Sequence, residues 1–500
     1  MNPIRRFRTW MNGWFGSRFG YVGSMDSPAR SEVRDFALES EKQMSPEARW
    51  QLYKKSNWLY NNFGLMKALI NKPVRYAVGG GISPSAITTD IEWNKRADDW
   101  FDQTAADNDL DVAAQLNFWG MQRAVGRAVP RDGEVFALLI RRGKKQQIQL
   151  LEAAKIGFNA FGMAVQAINA IDGIEHDDDG RPTTYHFKDF MSFARPVDAA
   201  NVLHIYDPER MGQTRGVPWC HHGINEGIDI VDLAALEKRA SKVHAAFAAT
   251  VKKKGGGFGD SNFSDLSAGN NPARRNPALD RMLGGQVAYL DMDEELQFLA
   301  SNRPAMNVVD FCNWLVRSIA VGFGVTPEFI WDVAKMGGAN TRYILADANV
   351  LIQDLQNVVV NPFSRPVYKW LLAGAMERGE LPVCKDPVFW GAHWQTPAAI
   401  TVDRGKEGKL WSDYVQRGLM TLDEFYSMQG KNPIKMRRQR ILEIAEDMEF
   451  CRQNGVPYEL YMPPAPSVPL DPTTSSVRIT GDENAQAIPE GSVGSEEQTG

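Results

Sequence analysis

The sequence predicts an α+β protein in which a small mixed module is carried between two helices. Three observations point there. Residues 130–206 read as short alternating runs punctuated by Pro, Gly and Asp, the pattern of a β-rich layer. From Ile224 the apolar period changes to three and four, through Ile228, Val231, Ala235, Ala240, Val243 and Phe247, and persists to about Lys253. The same period returns at Val308, Phe311, Cys312, Leu315, Ile319 and Phe323, while residues 254–302 between the two runs are Gly-, Asn- and Ser-rich with two short strand candidates, QVAYL and LQFLA.

Composition sets the frame for these elements. The chain has 500 residues, 43% of them hydrophobic and 23% charged, which is ordinary for a folded protein with a sizeable core. A net charge of -5 is too small to announce a nucleic-acid binder through bulk electrostatics. The cysteines, Cys220, Cys312, Cys384 and Cys451, form no CxxC pair and read as reduced thiols. No stretch approaches the ~20 apolar residues of a membrane span, so no stable membrane insertion is expected. The opening MNPIRRFRTWMNGWFGSRFG lacks the apolar core of a secretory signal and reads as a basic arm over residues 1–29.

Residues 45–78 predict a helix, started by Ser45-Pro46-Glu47 and broken at Pro73. After AVGGGISPS a second helical zone covers about 91–129, with Trp93, Trp100, Phe118 and Trp119. PRDGEVFALLIRRGKKQQIQLL then reads as strand, turn and strand, with further strand-like pieces at 164–171, 183–188 and 201–206. The helix begun at Ile224 is expected to run about 28 residues and to end at Gly255-Gly256-Gly257. Another helix is expected over about 340–360, interrupted by Pro362 and Pro366. Residues 405–455 read as two or three helices broken near Gly430 and Pro433, and 460–500 as a proline-rich, then polar, mobile tail.

Catalytic patterns fail on context. Gly143-Lys144 is followed by Lys145 and Gly408-Lys409 by Leu410, so neither makes a phosphate-cradling P-loop. GFGVTP at 322–327 places Pro327 where a dinucleotide fingerprint needs its third glycine. EHDDDG at 175–180 has His186 where a calcium loop needs a bidentate glutamate, so it reads as an acidic hairpin tip. CHHG at 220–223 packs metal-capable side chains too closely for one ion and reads as structural. The sequence therefore predicts no catalytic residues, no metal site and no cofactor.

One stretch resists a bland reading. WDVAKMGGANTRYILADANV, from Trp331 to Val350, sets a Gly-Gly pair and a lysine between two helical runs. A nucleotide cradle would need fixed amides at a helix N-terminus. Gly337-Gly338 instead lets the segment move, Trp331 and Met336 offer non-directional contact, and Lys335 can meet passing phosphates. A moving polyanion needs weak contacts, because each neutralised phosphate strengthens binding. The segment reads as a lining loop, with a plain interhelical turn as the alternative.

Three quoted segments carry a resemblance. HIYDPERMGQTRGVPW (204–219), DGEVF (132–136) and IAVGFGVTPEFI (319–330) resemble lambda-type bacteriophage portal proteins, a likeness that extends with VNPFSRPVYKWLLAGAMERGELP over roughly 45–455. Where the family shows a Tyr-Ser-Ser-Ala-Arg-like run after the loop, this chain has Asn340-Thr341-Arg342-Tyr343. The resemblance implies the portal-protein fold: a β-rich wing (30–222 and 341–402), stem helices (223–253 and 305–324), a small mixed α/β clip (254–304), a tunnel loop (325–340) and a helical crown (403–459). It also implies a ring of identical subunits, commonly a dodecamer, at one vertex of the virion, assembled in the host cytoplasm. The expected partners are duplex DNA in the channel, the terminase large subunit, head-completion adaptors, and the major capsid and scaffold proteins. Trp331, Lys335, Met336, Gly337, Gly338 and Asn340 would line the channel. Ile228, Val231, Val243, Phe247, Phe311, Leu315 and Ile319 would pack subunits in the stem. Lys253, Lys254, Arg274 and Arg275 would help terminase or adaptors dock. A metal-dependent nucleic-acid-processing enzyme and a monomeric DNA-binding module are the rivals.

Overall fold

A computed structural model describes residues 44–157, 170–188, 194–246, 249–253, 294–298, 306–331 and 339–458. It divides into two compact units, one ending at Ile434 and the other beginning at Lys435.

The first unit opens with α1 (Pro46–Asn62) and α2 (Gly64–Val78). Ser45 starts α1, its side chain accepting from the Ala48 amide, and Phe63 in extended conformation separates the two helices. Pro73 does not break α2 as expected; it lies inside the helix. A proline in a helix interior forfeits one hydrogen bond. Here burial of Leu69, Ile70, Val74, Ala77 and Val78 around it offsets that local cost. Next come β1 (Ser83–Ala86), α3 (Ile91–Ala106), capped by the Asp90 carboxylate, and α4 (Phe118–Asp132), capped by Asn117.

The β-rich layer is two antiparallel sheets. β2 (Glu134–Arg142) is flanked by β3 (Lys145–Glu152) and β8 (Val202–Tyr206), with Leu139 opposite Ile148 and Val135 opposite Ile205. The second sheet runs β4 (Ala170–Ile171), β5 (Ile174–His176), β6 (Pro182–Lys188) and β7 (Ala194–Asp198). The EHDDDG segment is the β5–β6 hairpin tip: Asp177 turns its carboxylate back to accept from the amides of Asp179 and Arg181, and His186 pairs with Glu175 at 2.8 Å. Phe136, Ile156, Ile174, Tyr185, Phe187 and Val202 form a buried cluster between the sheets.

α5 (Ile224–Ala246) is shorter than the expected run to Lys253. Residues Ala249–Lys253 form β9, antiparallel to β10 (Glu294–Phe298), with Val251 opposite Leu296. The β-branched pair Thr250-Val251 suits a strand, and cross-strand pairing outweighs the helical apolar period there. The QVAYL strand candidate lies outside the described residues.

α6 (Met306–Gly322), the one-turn α7 (Pro327–Ile330) and α8 (Ala339–Val359) follow. Pro362 and Pro366 do not interrupt the chain. A π-helical turn, Val360–Ser364, carries α8 directly into α9 (Arg365–Arg378). The wider turn accommodates the missing proline donors while Ser364 Oγ donates to the Val359 carbonyl at 3.0 Å and receives the Gln122 amide at 3.1 Å. β11 (Ala392–Gln395) pairs with β1, and α10 (Arg404–Gln416) and α11 (Leu422–Met428) complete this unit. One core gathers Val78, Phe101, Phe118, Val125, Val359, Phe363 and Tyr368; a second gathers Leu52, Leu59, Leu69, Ile224, Ile319, Phe323 and Leu351. The second unit is built on α12 (Pro433–Asn454), the last of the three helical pieces expected over 405–455.

Candidate functional site

α5 and α6 meet at a close-packed base. A Cβ on Gly223 would stand 2.9 Å from Ile319, and one on Gly322 would stand 2.1 Å from the His222 ring. Only hydrogen fits at either position, so α5 and α6 approach here more closely than larger residues allow. The CHHG side chains have separate partners: Cys220 Sγ lies 3.2 Å from Ser56 Oγ, His221 Nδ1 3.0 Å from the Pro218 carbonyl and His222 Nε2 3.2 Å from the Ile319 carbonyl. Burial pushes the Cys220 thiol up to about 11, so it stays protonated at neutral pH.

α6 has two different apolar faces. Leu315 and Ile319 are buried in the chain's own second core. An adjoining exposed face presents Phe311 and Trp314, stacked at 6.1 Å and exposed by 50% and 62%, with Val321 along the same stripe. Leu315 and Ile319, expected to pack subunits, lie in this chain's own second core, and the exposed apolar residues beside them on α6 are Phe311, Trp314 and Val321. On α5, Ile228 packs partly buried against the second core and Val231 is half-buried. Phe247 and the side chain of Val243 lie outside the described residues.

The segment after α6 is anchored at both ends. Val325 and Phe329 are buried, and α2 packs against α7. Lys72 Nζ sits 4.5 Å from the centre of the Phe329 ring and donates to the Phe329 carbonyl, while Tyr76 packs on the same ring. Burial lowers the Lys72 ammonium pKa from its ordinary value. Trp331 then projects with 63% of its surface exposed. The chain is described again at α8, where Asn340 is exposed and Arg342 pairs with Asp403. Further along α8, Asn349 holds the Ile400 backbone through two bonds of 3.0 Å. Lys335, Met336, Gly337 and Gly338 lie outside the described residues, as do Lys254, Arg274, Arg275 and the side chain of Lys253. Lys72 had no signal in the sequence, because it belongs to α2 and reaches Phe329 across 257 positions.

Two quoted motifs, DGEVF and HIYDPERMGQTRGVPW, converge on a buried ionic cluster. Arg215 forks onto the Glu134 carboxylate, with Nε 3.0 Å from both oxygens. His204 Nε2 lies 2.9 Å from Glu134 Oε2, and the Gly216 amide donates to the same oxygen at 2.9 Å. Asp172, at φ +46, accepts from Arg49 and lies 3.2 Å from Arg215. Burial by itself would raise the Glu134 pKa; the Arg215 charge and the His204 hydrogen bond overcome it and hold the carboxyl far below the usual range. Gly133 and Gly216 are matched glycines, since a Cβ on Gly216 would stand 2.1 Å from the Gly133 carbonyl oxygen. Gly216→Ala is expected to lower the melting temperature by several degrees, about 1–3 kcal/mol of overpacking. A thermal melt within a degree of wild type would refute that contact.

Residues 31–335 match the family model described as "Phage portal protein, lambda family". The chain belongs to the lambda family of phage portal proteins. A probable portal protein of Halomonas phage phiHAP-1 is 21% identical over 391 residues, covering 73% of this chain and 70% of its own. Among solved structures, the neck of an empty GTA particle computed with C6 symmetry covers 83% of this chain and 99% of its own, at 12% identity and a TM-score of 0.45. A HK97-family phage portal protein from Corynebacterium diphtheriae covers 59% and 84%, at 11% identity and a TM-score of 0.32. In this portal-family chain, the side chains of the motif residues Glu134, His204 and Arg215 are buried, so they serve the fold. Sequence reasoning missed their partners Arg49 and Asp172, which lie 123 positions apart and outside both motifs.

Proposed function

We propose that this chain is the portal subunit of a phage head: copies of it close a ring at one capsid vertex, and duplex DNA passes through the hole. The ring would serve packaging by the terminase motor, retention and ejection of the genome, and attachment of the tail through adaptor proteins. The observation that carries this reading is the family match across residues 31–335.

Physical features support it. Head-to-tail contacts close only when the rotation per subunit divides the circle, and twelve copies is the expected number. Such permanent interfaces are large and apolar. The exposed Phe311–Trp314–Val321 stripe offers apolar surface on a helix whose other face is already packed. The wing would comprise 30–222 and 341–402, the stem 223–253 and 305–324, the clip 254–304 and the crown 403–459. β9 and β10 would then close the clip where the stem enters it. Trp331 and Asn340 would flank a tunnel loop carrying Lys335, Met336, Gly337 and Gly338. Lys253, Lys254, Arg274 and Arg275 would meet the terminase or adaptors. Chemistry would be supplied by the motor, with no catalytic step in this chain. No helix among the described residues is long and apolar enough to cross a membrane.

Negative-stain imaging with mass photometry tests the reading. Closed rings with an axial hole are expected; single chains under every assembly condition would end it. Phe311→Glu with Trp314→Glu is expected to leave a soluble, folded chain that no longer closes rings, since each aromatic contributes about 1.5–3 kcal/mol when buried. Rings of wild-type yield from that variant would remove the stripe from the interface.

A further inference from the structure

The chain's small net charge of -5 conceals one uneven surface on two helices of the first unit. α2 contains Lys67, Lys72 and Arg75 and no acidic residue, and α4 contains Arg123, Arg127 and Arg131 with Asp132 as its single acid. The two helices run antiparallel, and contacts fix their register. A Cβ on Gly126 would stand 3.3 Å from Val74 and 3.5 Å from Val78, and Arg123 Nη1 donates to the Gly79 carbonyl at 3.4 Å. At the other end, Lys67 and Arg131 lie over the Tyr60 ring, 5.7 and 5.4 Å from its centre, and the Tyr60 hydroxyl donates to Asn71 at 3.1 Å.

That register sets Asn71 level with Arg131, Arg75 with Arg127 and the end of α2 with Arg123. Lys67, Asn71 and Arg75 recur every four residues, as do Arg123, Arg127 and Arg131, so each row follows one helix face. Both rows border the α2–α4 seam on its solvent side, with Lys67, Arg75 and Arg127 exposed and Arg123 partly so. From Lys67 to Gly79 the strip runs ~18 Å at the helical rise. Asp132 and Glu152 stand beside Arg131, at 2.5 and 3.7 Å. Among the described residues, Lys67, Arg75, Arg123 and Arg127 have no carboxylate partner.

Four unpaired cations in one strip suit a polyanion. An acidic protein is the poorer fit, because protein interfaces are built around an apolar core. Tyr76 is the one exposed large apolar residue on α2 and α4, and its ring packs on Phe329. A duplex carries one charge per ~1.7 Å of axis, so a strip of this length meets several phosphates at once. We propose that the α2–α4 strip is a second, sequence-independent contact for the backbone of duplex DNA, made by Lys67, Arg75, Arg123 and Arg127. It shares no residue with the tunnel loop. The choice of DNA as the polyanion rests on the portal reading, but the strip lies within one chain and needs no ring.

Salt titration of duplex binding by the full chain tests it, read as fluorescence anisotropy of a short labelled duplex. The strip variant combines Lys67→Gln, Arg75→Gln and Arg127→Gln, three exposed positions without an ion pair to lose. A charge-matched control combines Lys95→Gln and Arg96→Gln on α3 with Lys144→Gln in the β2–β3 turn, all exposed. The strip variant is expected to bind at least about tenfold more weakly at low salt. Its slope of log K against log salt should be shallower by about 2–3, near 0.9 for each lost phosphate contact. The control keeps the wild-type slope. Arg75→Lys with Arg127→Lys keeps it too, because point charge sets this slope, and that retention separates lost charge from misfolding. A wild-type slope in the strip variant would overturn the proposal, the result expected if the strip is only solvated or meets an acidic protein. Equal losses in the strip and control variants would overturn it as well, leaving bulk charge as the cause. Mass photometry of the same samples separates the two readings. Closed rings whose DNA binding ignores the strip overturn this proposal alone, whereas strip-dependent binding by chains that never close rings overturns the ring reading alone.

Discussion

Glu134→Ala is expected to lower the stability of the folded chain by about 3–5 kcal/mol, the cost of leaving buried cations without their counter-charge. Glu134 is fully buried and receives Arg215, His204 and the Gly216 amide on its two oxygens, while Arg49 stands 3.7 Å away. Removing the carboxylate leaves Arg215 with Asp172 as its remaining ionic partner, and Arg49 already binds that same carboxylate. Glu134→Gln retains an acceptor for Arg215 and should cost less than alanine. The order alanine, glutamine, wild type in rising melting temperature is the result to look for; an alanine variant melting with wild type would show the cluster to be dispensable.

The same cluster gives stability a pH dependence whose sign can be worked out. Burial lowers the His204 pKa, and the Glu134 carboxylate beside it compensates only in part. The unfolded chain binds a proton at this histidine below about pH 6.5, and the folded chain resists doing so. Unfolding therefore takes up a proton there, and stability falls as pH drops below about 6.5. Glu134 acts lower on the scale. Its depressed pKa contributes fully above the unfolded carboxylate range near ~4.3 and loses that contribution as pH falls toward its folded value. His204→Gln should flatten the first decline and leave the second. Melting temperatures followed from pH 8 down to about pH 2 separate the two, the first decline setting in below about pH 6.5 and the second only below about pH 4.3.

What the sequence revealed of the fold follows from the range of the forces involved. Helical period located α5, α6 and α8; α6 and α8 each bury one continuous stripe, while α5 is buried only along its first turns, at Ile224 and Ile230. Breakers misled where burial was strong. Pro73 sits inside α2, and Pro362 and Pro366 are absorbed by the π-helical turn that Ser364 and Gln122 hold together. The end of α5 was placed late, because an apolar residue every third or fourth position fits Thr250 and Val251 equally well as strand or helix. The ionic cluster was half visible. Its motif residues stood out as segments, but Arg49 reaches Asp172 through the tertiary fold and leaves no local pattern. Leu315 and Ile319 show the remaining limit: periodicity identifies an apolar face without saying whether it meets the same chain or another copy.

Deleting residues 333–338 is expected to leave rings that assemble and heads that fail to fill with or retain DNA. The reasoning starts from the anchors. Lys72 and Tyr76 fix Phe329 on one side, while Arg342 with Asp403 and Asn349 with Ile400 fix α8 on the other. These contacts lie outside the deletion, as does the Phe311–Trp314–Val321 stripe assigned to subunit packing. The deleted residues include the Gly337-Gly338 pair and Lys335, the groups proposed to touch passing phosphates. Shortening the link could strain its anchors, so a replacement of equal length by Gly and Ser is the companion variant. It keeps the reach of the chain and removes the lysine and apolar contacts. If the segment grips or gates duplex through its side chains, both variants lose filled heads while negative-stain rings persist. If only reach and flexibility matter, the Gly-Ser variant packages normally and the deletion does not. Full infectivity from the deletion would mean that DNA passes without touching this segment, and the lining role would have to be assigned elsewhere in the ring.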